Sequence, residues 1–237
     1  MIIEIINQMN NNTNISIIIP VFNEINFIGK ILQLVNLQKK FFNIQIIVSD
    51  DGSNDGTYEF LNINKKLYDN LIRSEKNKGK GFAIKKAMPF INGDIVIIQD
   101  ADLEYNPADY KNILTPFTES GADVVYGNRF ANNNYQRLHF FSHKIANTII
   151  TLIVNFVTNI NFSDVECGFK AFKAEIFKSI LLNEKSFGFE IEITKKISKL
   201  NLKIFQAPVS YNGRNYSEGK KIKFKDALRA IYCIFRY

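Results

Sequence analysis

Three carboxylates set the chemical question. Asp100, Asp102 and Glu104 alternate with Ala101 and Leu103 directly after the apolar run Ile95 to Ile98, itself preceded by Gly93 and Asp94. The run reads as a short buried strand entered from a turn. Acidic groups so crowded repel one another unless positive charge lies between them. A hard divalent cation supplies it, since Mg2+ held by a few carboxylates shares its other positions with substrate phosphates. The carboxyl edge of an open α/β sheet is also where ligands bind. A plainer role competes: Asp102, or Asn106 before Pro107, would cap a helix starting there. The stretch alone leaves metal and cap open.

The surrounding chain shows what must position these groups. Strand-like runs occur at Ile15 to Pro20, Ile44 to Ser49, Asn70 to Arg73, Asp94 to Gln99 and Ala122 to Tyr126. Between them, helical patterns cover Asn26 to Lys40, Asp55 to Leu67, Gly81 to Phe90 and Pro107 to Thr118. Strand–helix alternation at this spacing predicts an α/β fold, a mostly parallel central sheet flanked by helices with right-handed crossovers. The second half changes character. A long helix is expected from His139 to Asn159, then a loop Asp164-Val165-Glu166-Cys167-Gly168-Phe169. Helices near Ala174 to Leu182 and Glu190 to Leu200, a strand-like Lys203 to Gln206 and a last helix from Phe224 to Phe235 complete the chain. With no repeat or Pro/Gly/Ser linker, residues 15–237 are expected to form a single domain behind a flexible leader, 1–14.

Composition narrows the classes. Hydrophobic residues make up 46% of 237, enough for a substantial core. Cys167 and Cys233 are the only cysteines, too few for a disulfide framework, and fit a reducing compartment. His139 and His143 lie four apart, but zinc needs more ligands than that pair. Residues 1–14 lack a basic n-region and cleavage site, so no signal peptide is expected. The apolar stretch Ile145 to Ile160 is interrupted by Asn and Thr, so no spanning helix is expected. Ile149, Ile153 and Phe156 would pack on the core or insert at a membrane interface. Net charge is +7, and Ile204 to Tyr237 carries seven Lys/Arg against Glu218 and Asp226. Such an end meets phosphorylated substrate, nucleic acid or anionic lipid, or simply solubilises.

Two further strand ends converge on the acidic triplet: Pro20-Val21-Phe22-Asn23-Glu24, and Ser49-Asp50-Asp51-Gly52-Ser53. That convergence favours the metal over the cap. The ordered motifs resemble the family 2 inverting glycosyltransferases, of GT-A type nucleotide-diphospho-sugar transferase fold, and within them the dolichyl- and polyprenyl-phosphate sugar synthases. The resemblance runs from about Ile15 to Tyr237. It implies a nucleotide-sugar-binding half, 15–130, and an acceptor half, 131–237. Pro20, Phe22 and Glu24 match Pro-x-Tyr-Asn-Glu and would cradle the nucleoside with Ser49 and Asp51; Asp50 would be structural, and Asn54 to Thr57 a turn and helix start. Lys78-Gly79-Lys80-Gly81-Phe82-Ala83 matches Gly-Lys-Gly-x-Ala, whose glycines admit close backbone approach to a ligand and whose Lys80 offsets diphosphate charge. Asp100, Ala101, Asp102 and Glu104 match Asp-x-Asp-x-Gln, with Glu104 in place of Gln, so the resemblance makes Asp100, Asp102 and Glu104 the metal residues. Gly127-Asn128-Arg129 matches Gly-Ser-Arg, with Arg129 on the phosphates. Arg137, Ser142 and Asn147 echo the start of the acceptor helix. Asp164, Gly168 and Phe169 echo Asp…Gly-Phe-Arg, with Lys170 replacing Arg. Arg214 and Lys220 match the Arg-x-x-Gly-x-Ser-Lys region with altered spacing.

The implied reaction moves a sugar from a GDP- or UDP-linked donor, with inversion, to a polyprenyl phosphate. Asp100 and Asp102 would hold Mg2+ or Mn2+; with Arg129, Arg214 and Lys220 they would stabilise the leaving diphosphate. A lipid phosphate needs little deprotonation, whereas a hydroxyl acceptor on a glycan would need a general base such as Asp164. The expected location is the cytoplasmic face of a membrane, peripherally bound; a small membrane-protein partner is a further candidate, and nucleic acid is not expected. The chain has no Trp, which argues against the processive relatives with their Gln-x-x-Arg-Trp motif. A nucleotidyl- or phosphotransferase and a non-catalytic sugar-nucleotide-binding module are the readings from other classes.

Overall fold

The computed structural model describes residues 13–131, 137, 141–214 and 224–237. Among the described residues seven strands build one sheet: β1 (Asn14–Val21), β2 (Asn43–Asp50), β3 (Asn70–Arg73), β4 (Ile95–Ile98), β5 (Val124–Asn128), β6 (Lys170–Lys173) and β7 (Ile204–Pro208). Their order is β3-β2-β1-β4-β6-β5-β7. All pairings are parallel except those of β6, which runs antiparallel to β4 and β5. The sheet is therefore mostly parallel, with one reversed strand in its middle. Lys170-Ala171-Phe172-Lys173 carries no strand signal of its own. It is short and lysine-flanked, and its pairing with Ile95 to Ile98 on one side and Val124 to Tyr126 on the other makes it a strand.

Eight helices cover the sheet among the described residues: α1 (Ile25–Gln38), α2 (Thr57–Ile63), α3 (Lys80–Ala87), α4 (Tyr110–Glu119), α5 (Phe141–Thr158), α6 (Ala174–Ser179), α7 (Phe189–Ile197) and α8 (Phe224–Arg236). In α1, Ile28, Ile31, Leu32 and Val35 fall on one face and are fully buried. Several helices are shorter than their sequence patterns, α6 ending at Ser179 rather than Leu182 and α7 at Ile197 rather than Leu200, and two are cut short by a visible local competitor. The pattern over 55–67 yields α2 and then a separate 3-10 turn, Lys65–Leu67. Asn64 interrupts it by donating its side-chain amide to Phe60 O at 2.8 Å. The pattern over 81–90 stops at Ala87 and tightens into the 3-10 turn Met88–Phe90, which contains Pro89. At the other end of the chain, Asn14 already pairs in β1, so the described structure begins inside the stretch expected to be a leader.

Along the strands, side chains alternate between two cores. Ile15, Ile17, Ile19, Ile44, Ile46 and Ile97 join α1 and α4, while Ile18, Ile47, Val96, Ile98 and Tyr126 join α3, α5 and α7. Topology then decides where polar ends gather. β1, β2 and β4 are parallel and in register, so Glu24, Asp51 and Asp100 to Asp102 leave the sheet at one edge. β2 and β4 flank β1 on opposite sides, which opens a crevice at the switch of strand direction. The reversal of β6 matters most here. Its first residue, Lys170, pairs with Ile98 and Tyr126, so the loop 164–169 enters the sheet at the same edge. The ends of β5 and β7 add Arg129 and Tyr211 to Arg214.

Candidate active site

A cavity of about 920 Å³ lies over this edge. Its wall includes Pro20, Phe22, Glu24 and Asp51 from the first two strand ends, Asp100 to Asp102 from the third, and Arg129, Tyr211 and Arg214 from β5 and β7. Helices α5 and α8 close the far side with Ser142, His143, Asn147, Asp226 and Ala230.

The acidic turn is built with local strain. Leu103 sits at φ +62, a left-handed conformation that costs a branched side chain roughly 1–2 kcal/mol. Gln99 braces the turn by donating to the carbonyls of Asp100 and Tyr105 at 3.1 and 3.3 Å. Asn106 does the capping: its side chain accepts from Ala108 N at 3.0 Å ahead of the 3-10 turn Pro107–Asp109. Asp102 is thereby relieved of the cap role and faces Arg214, with 2.9 Å between its Oδ2 and Nη2. Asp100 faces Lys80 at 2.7 Å. Burial raises the pKa of both aspartates; for Asp100 the charge of Asp102 adds to it, and for Asp102 that of Glu104.

Part of this donor set suits a divalent cation. Asp100 and Asp102 both line the cavity, are costly to keep charged, and each holds a basic side chain where a metal would otherwise balance it. Two carboxylates completed by substrate oxygens are the usual Mg2+ arrangement, so these two fit. Glu104 does not. Its oxygens accept from Arg214 N at 2.8 Å and from Tyr211 OH at 3.1 Å, and among the described residues no three His, Cys, Asp or Glu are grouped to hold a metal. Glu104 braces the 211–214 segment from the cavity wall, and this geometry gives no support to the expectation that it binds metal.

Other expected residues fall into place differently. Asp51 is 2% exposed and accepts from Lys78 N at 2.8 Å and Gly79 N at 2.5 Å, leaving a second buried oxygen, Oδ1, without a hydrogen-bond partner. Ser49 is fully buried inside β2 and is no part of the cavity wall, so its expected contact to donor is not supported. Asp50 accepts from Ser53 N at 3.1 Å and lies 3.7 Å from Arg73, a structural role as expected. Asp55 takes Thr57 N at 3.0 Å and Ile25 N at 3.1 Å, holding the starts of α2 and α1. Gly79 and Gly81 are needed for a different reason than ligand approach: a Cβ on either would strike the backbone of Glu184 to Ser186. Lys220 lies outside the described residues, as does His139.

Arg129 and Asp164 form a buried fork. Nε and Nη2 of Arg129 donate to Asp164 at 2.7 and 2.6 Å, and the Arg129 backbone N–H at 3.2 Å. Asn147 completes it, accepting from Arg129 Nη2 and donating to Asp164 Oδ1, each at 3.2 Å. Asp164 is 0% exposed and both its oxygens are occupied. It positions Arg129 and does not line the cavity, so its expected role as general base finds no support in this geometry. Asn147 is likewise spent on this pair, although it reaches the cavity wall. Ser142 lines the cavity, and Arg137 donates to Gly213 O at 3.2 Å beside Arg214. Arg214 itself binds Glu24 through two contacts at 3.1 and 3.2 Å, and its neighbours' negative charge keeps it protonated.

Several site residues were not singled out from the sequence. Glu190, at the start of α7, bridges Lys80 at 2.9 Å and Lys170, tying the cavity floor to β6. Glu190 and Glu192 are buried between Phe189, Ile191 and Ile193, and charges interleaved in an apolar run are the signal that could have exposed them. Tyr105 stacks on Phe169 and accepts from Gly168 N at 3.0 Å. Glu166 lines the cavity with an unpartnered buried oxygen.

The chain is similar to several known proteins. It is 30% identical over 240 residues to an uncharacterized protein of Methanocaldococcus jannaschii, covering 96% of each chain. It is 27% identical over 230 residues to a dolichyl-phosphate beta-glucosyltransferase, ALG5A, of Trichomonas vaginalis, covering 91% of this chain and 70% of that one. In structure it resembles glucosyl-3-phosphoglycerate synthase of Mycobacterium tuberculosis, solved with Mn2+, UDP and glucosyl-3-phosphoglycerate, at a TM-score of 0.75 and 18% identity, over 98% of this chain and 82% of that one. That likeness establishes the GT-A type of fold. The profile of glycosyl transferase family 2 matches residues 16–181, which span the three polar strand ends, Arg129 and the loop carrying Asp164, and the chain belongs to that family of enzymes.

Proposed function

We propose that this glycosyltransferase transfers a sugar from a nucleoside diphosphate sugar to a polyprenyl phosphate at a membrane surface. The observation that carries the acceptor is the position of α5 and α8. One edge of each lines the cavity, and the next face of each is apolar and exposed. On α5 the stripe is Phe141, Ile145, Ile149, Leu152 and Phe156, with Phe156 91% exposed; on α8 it is Leu228, Ile231, Tyr232 and Phe235. Ile153 alone of the three residues weighed from sequence packs on the core. A phosphate entering the cavity between these helices would leave an isoprenoid tail against their apolar faces. Lys144 and Arg236 lie on the same two helices and would add attraction to an anionic bilayer. No helix among the described residues is long and apolar enough to cross a membrane.

In the donor site, Asp51 would take an N–H of the base, with Pro20 and Phe22 beside the nucleoside. Asp100 and Asp102 would hold Mg2+ or Mn2+, which when bound would neutralise charge on the leaving diphosphate. Lys80 and Arg214 are now engaged by those two aspartates, and a donor's phosphates would draw them off as new anionic partners. Arg129, held by Asp164, would face the acceptor phosphate. That acceptor is already anionic, and the burial of Asp164 removes no step that it needs.

The test is transfer of labelled sugar from UDP- and GDP-sugars to polyprenyl phosphate in anionic liposomes, beside hydroxyl acceptors, with Mn2+ or Mg2+. Transfer to the lipid phosphate and salt-sensitive sedimentation with anionic liposomes are expected. Transfer only to a hydroxyl acceptor would refute the lipid assignment.

A further inference from the structure

Along the cavity wall, carboxylates have partners. Glu24 and Asp102 hold Arg214, Asp100 and Glu190 hold Lys80, and Glu104 takes two donors. Two carboxylates keep a buried oxygen with no hydrogen-bond partner: Oδ1 of Asp51 and Oε1 of Glu166. An acceptor atom shut away from water without a donor destabilises the protein, and its persistence calls for an explanation. Asp51 belongs to the nucleoside end. Glu166 belongs to the other end. Its loop carries Gly168, which is packed so closely on Asp100 Oδ2 and Lys80 Nζ that a Cβ would strike the carboxylate.

We propose that Glu166 reads the transferred sugar: its carboxylate accepts a hydrogen bond from a ring hydroxyl and thereby selects which sugar the enzyme moves. This rests on the donor and acceptor assigned above. The chemistry narrows the partner. Above about pH 7, where the charged form prevails, the carboxylate only accepts, so Oε1 then needs a donor. Phosphate oxygens are acceptors and carry like charge, which excludes the diphosphate and the acceptor phosphate. A polyprenyl tail offers no donor. The base lies at the Asp51 end. The sugar, joined to the phosphate that Asp100 and Asp102 would face, is the remaining source of O–H groups near this loop. The groups around Glu166 agree. Burial and the charge of Glu190 on α7 push its pKa up to about 7, Asp164 in its own loop pushes the same way, and Lys170 on β6 and Arg129 beyond β5 oppose them. His143 of α5 and Asp226 of α8 share the cavity wall. A hydroxyl donating to the carboxylate would stabilise its charged form.

The test is a binding cycle on the full chain with Mn2+, titrating UDP, UDP-glucose and the deoxy-glucose analogues of UDP-glucose against wild type, Glu166→Gln and Glu166→Ala. A hydrogen bond to a charged group corresponds to about 10- to 100-fold in affinity. The expected result is that Glu166→Ala binds UDP as wild type does but UDP-glucose about 10- to 100-fold more weakly. Glu166→Gln, which keeps the shape and a neutral acceptor, should lie between, and it carries the cycle if the alanine variant fails to fold. One deoxy analogue should lose that same factor on wild type and nothing more on the variant. Equal weakening of UDP and UDP-glucose would overturn the proposal, as would losses that multiply at every deoxy position. A fall in kcat with donor affinity unchanged would also overturn it and mark Glu166 as a proton acceptor instead. If wild type binds neither UDP-glucose nor GDP-mannose, the donor assignment itself fails, a result visible before any variant is made.

Discussion

Removing Asp164 separates two roles for a carboxylate beside a reaction centre. The side chain is 0% exposed and meets Arg129 through Nε at 2.7 Å, Nη2 at 2.6 Å and the backbone N–H at 3.2 Å. The Arg129 side chain is itself only 15% exposed. In Asp164→Ala the guanidinium keeps Asn147 but loses its counter-charge in a site water reaches poorly. Breaking a buried pair on one side destabilises by about 3–5 kcal/mol. In a domain of this size each kcal/mol lowers Tm by about 2–4 °C, so a fall of about 6–20 °C is expected. Thermal and urea unfolding of wild type, Asp164→Ala, Arg129→Met and the double variant would measure it. Because Arg129→Met removes the orphaned cation, the double variant should be more stable than Asp164→Ala alone. Activity should fall with Asp164→Ala through misplacement of Arg129. Were Asp164 instead a general base, Asp164→Asn would abolish kcat and flatten the pH–rate profile while the melting curve stayed that of wild type. That pattern would refute the reasoning.

Chelation should abolish transfer and Mn2+ or Mg2+ restore it, and Asp102→Asn should weaken Mn2+ binding at least tenfold by calorimetry without unfolding the chain. Glu104→Gln should leave Mn2+ affinity within about twofold of wild type yet lower kcat/KM, because it loosens Arg214 and Tyr211 rather than the metal; an equal loss of Mn2+ would restore Glu104 to the metal site. Arg214→Lys should not rescue activity, since one ammonium cannot face Glu24 and Asp102 as the planar fork does. Glu166 gives a pH dependence: its folded pKa of about 7 stands above the ordinary value of 4.5, so the native state holds the extra proton between those values and stability falls as pH rises through that window. Glu166→Gln should remove that fall and be more stable than wild type at pH 8, by on the order of 1–3 kcal/mol after allowing for partial screening, with no difference near pH 4, as read from urea midpoints.

Strand ends were legible in the sequence because burial and polarity change there abruptly. Ile15 to Pro20, Ile44 to Ser49 and Asp94 to Gln99 are apolar runs that stop at polar residues, and each forms a strand within a residue or two of its expected bounds. Parallel pairing then forces their ends to one edge. β6 was not legible, since four residues beginning and ending in lysine have no reason to enter a core. Lys170 does so because Glu190, twenty residues on and in a helix, meets its charge. Helix ends failed where a local competitor acts, at Asn64 and at Pro89.

The partners of individual carboxylates were not legible for a related reason, and Glu104 shows it most sharply. Asp100, Asp102 and Glu104 alternate, and an extended chain would put all three on one face. β4 ends at Ile98, however, and Leu103 turns left-handed between the second and third acids. That single conformation turns Glu104 toward Tyr211 and Arg214 on the cavity wall, where its charge still raises the pKa of Asp102. The consequence reaches the chemistry. A third carboxylate with no partner beside the pair would add negative charge where a diphosphate would bind. Committed to the 211–214 segment, the same carboxylate instead fixes the arginine that such a diphosphate would meet.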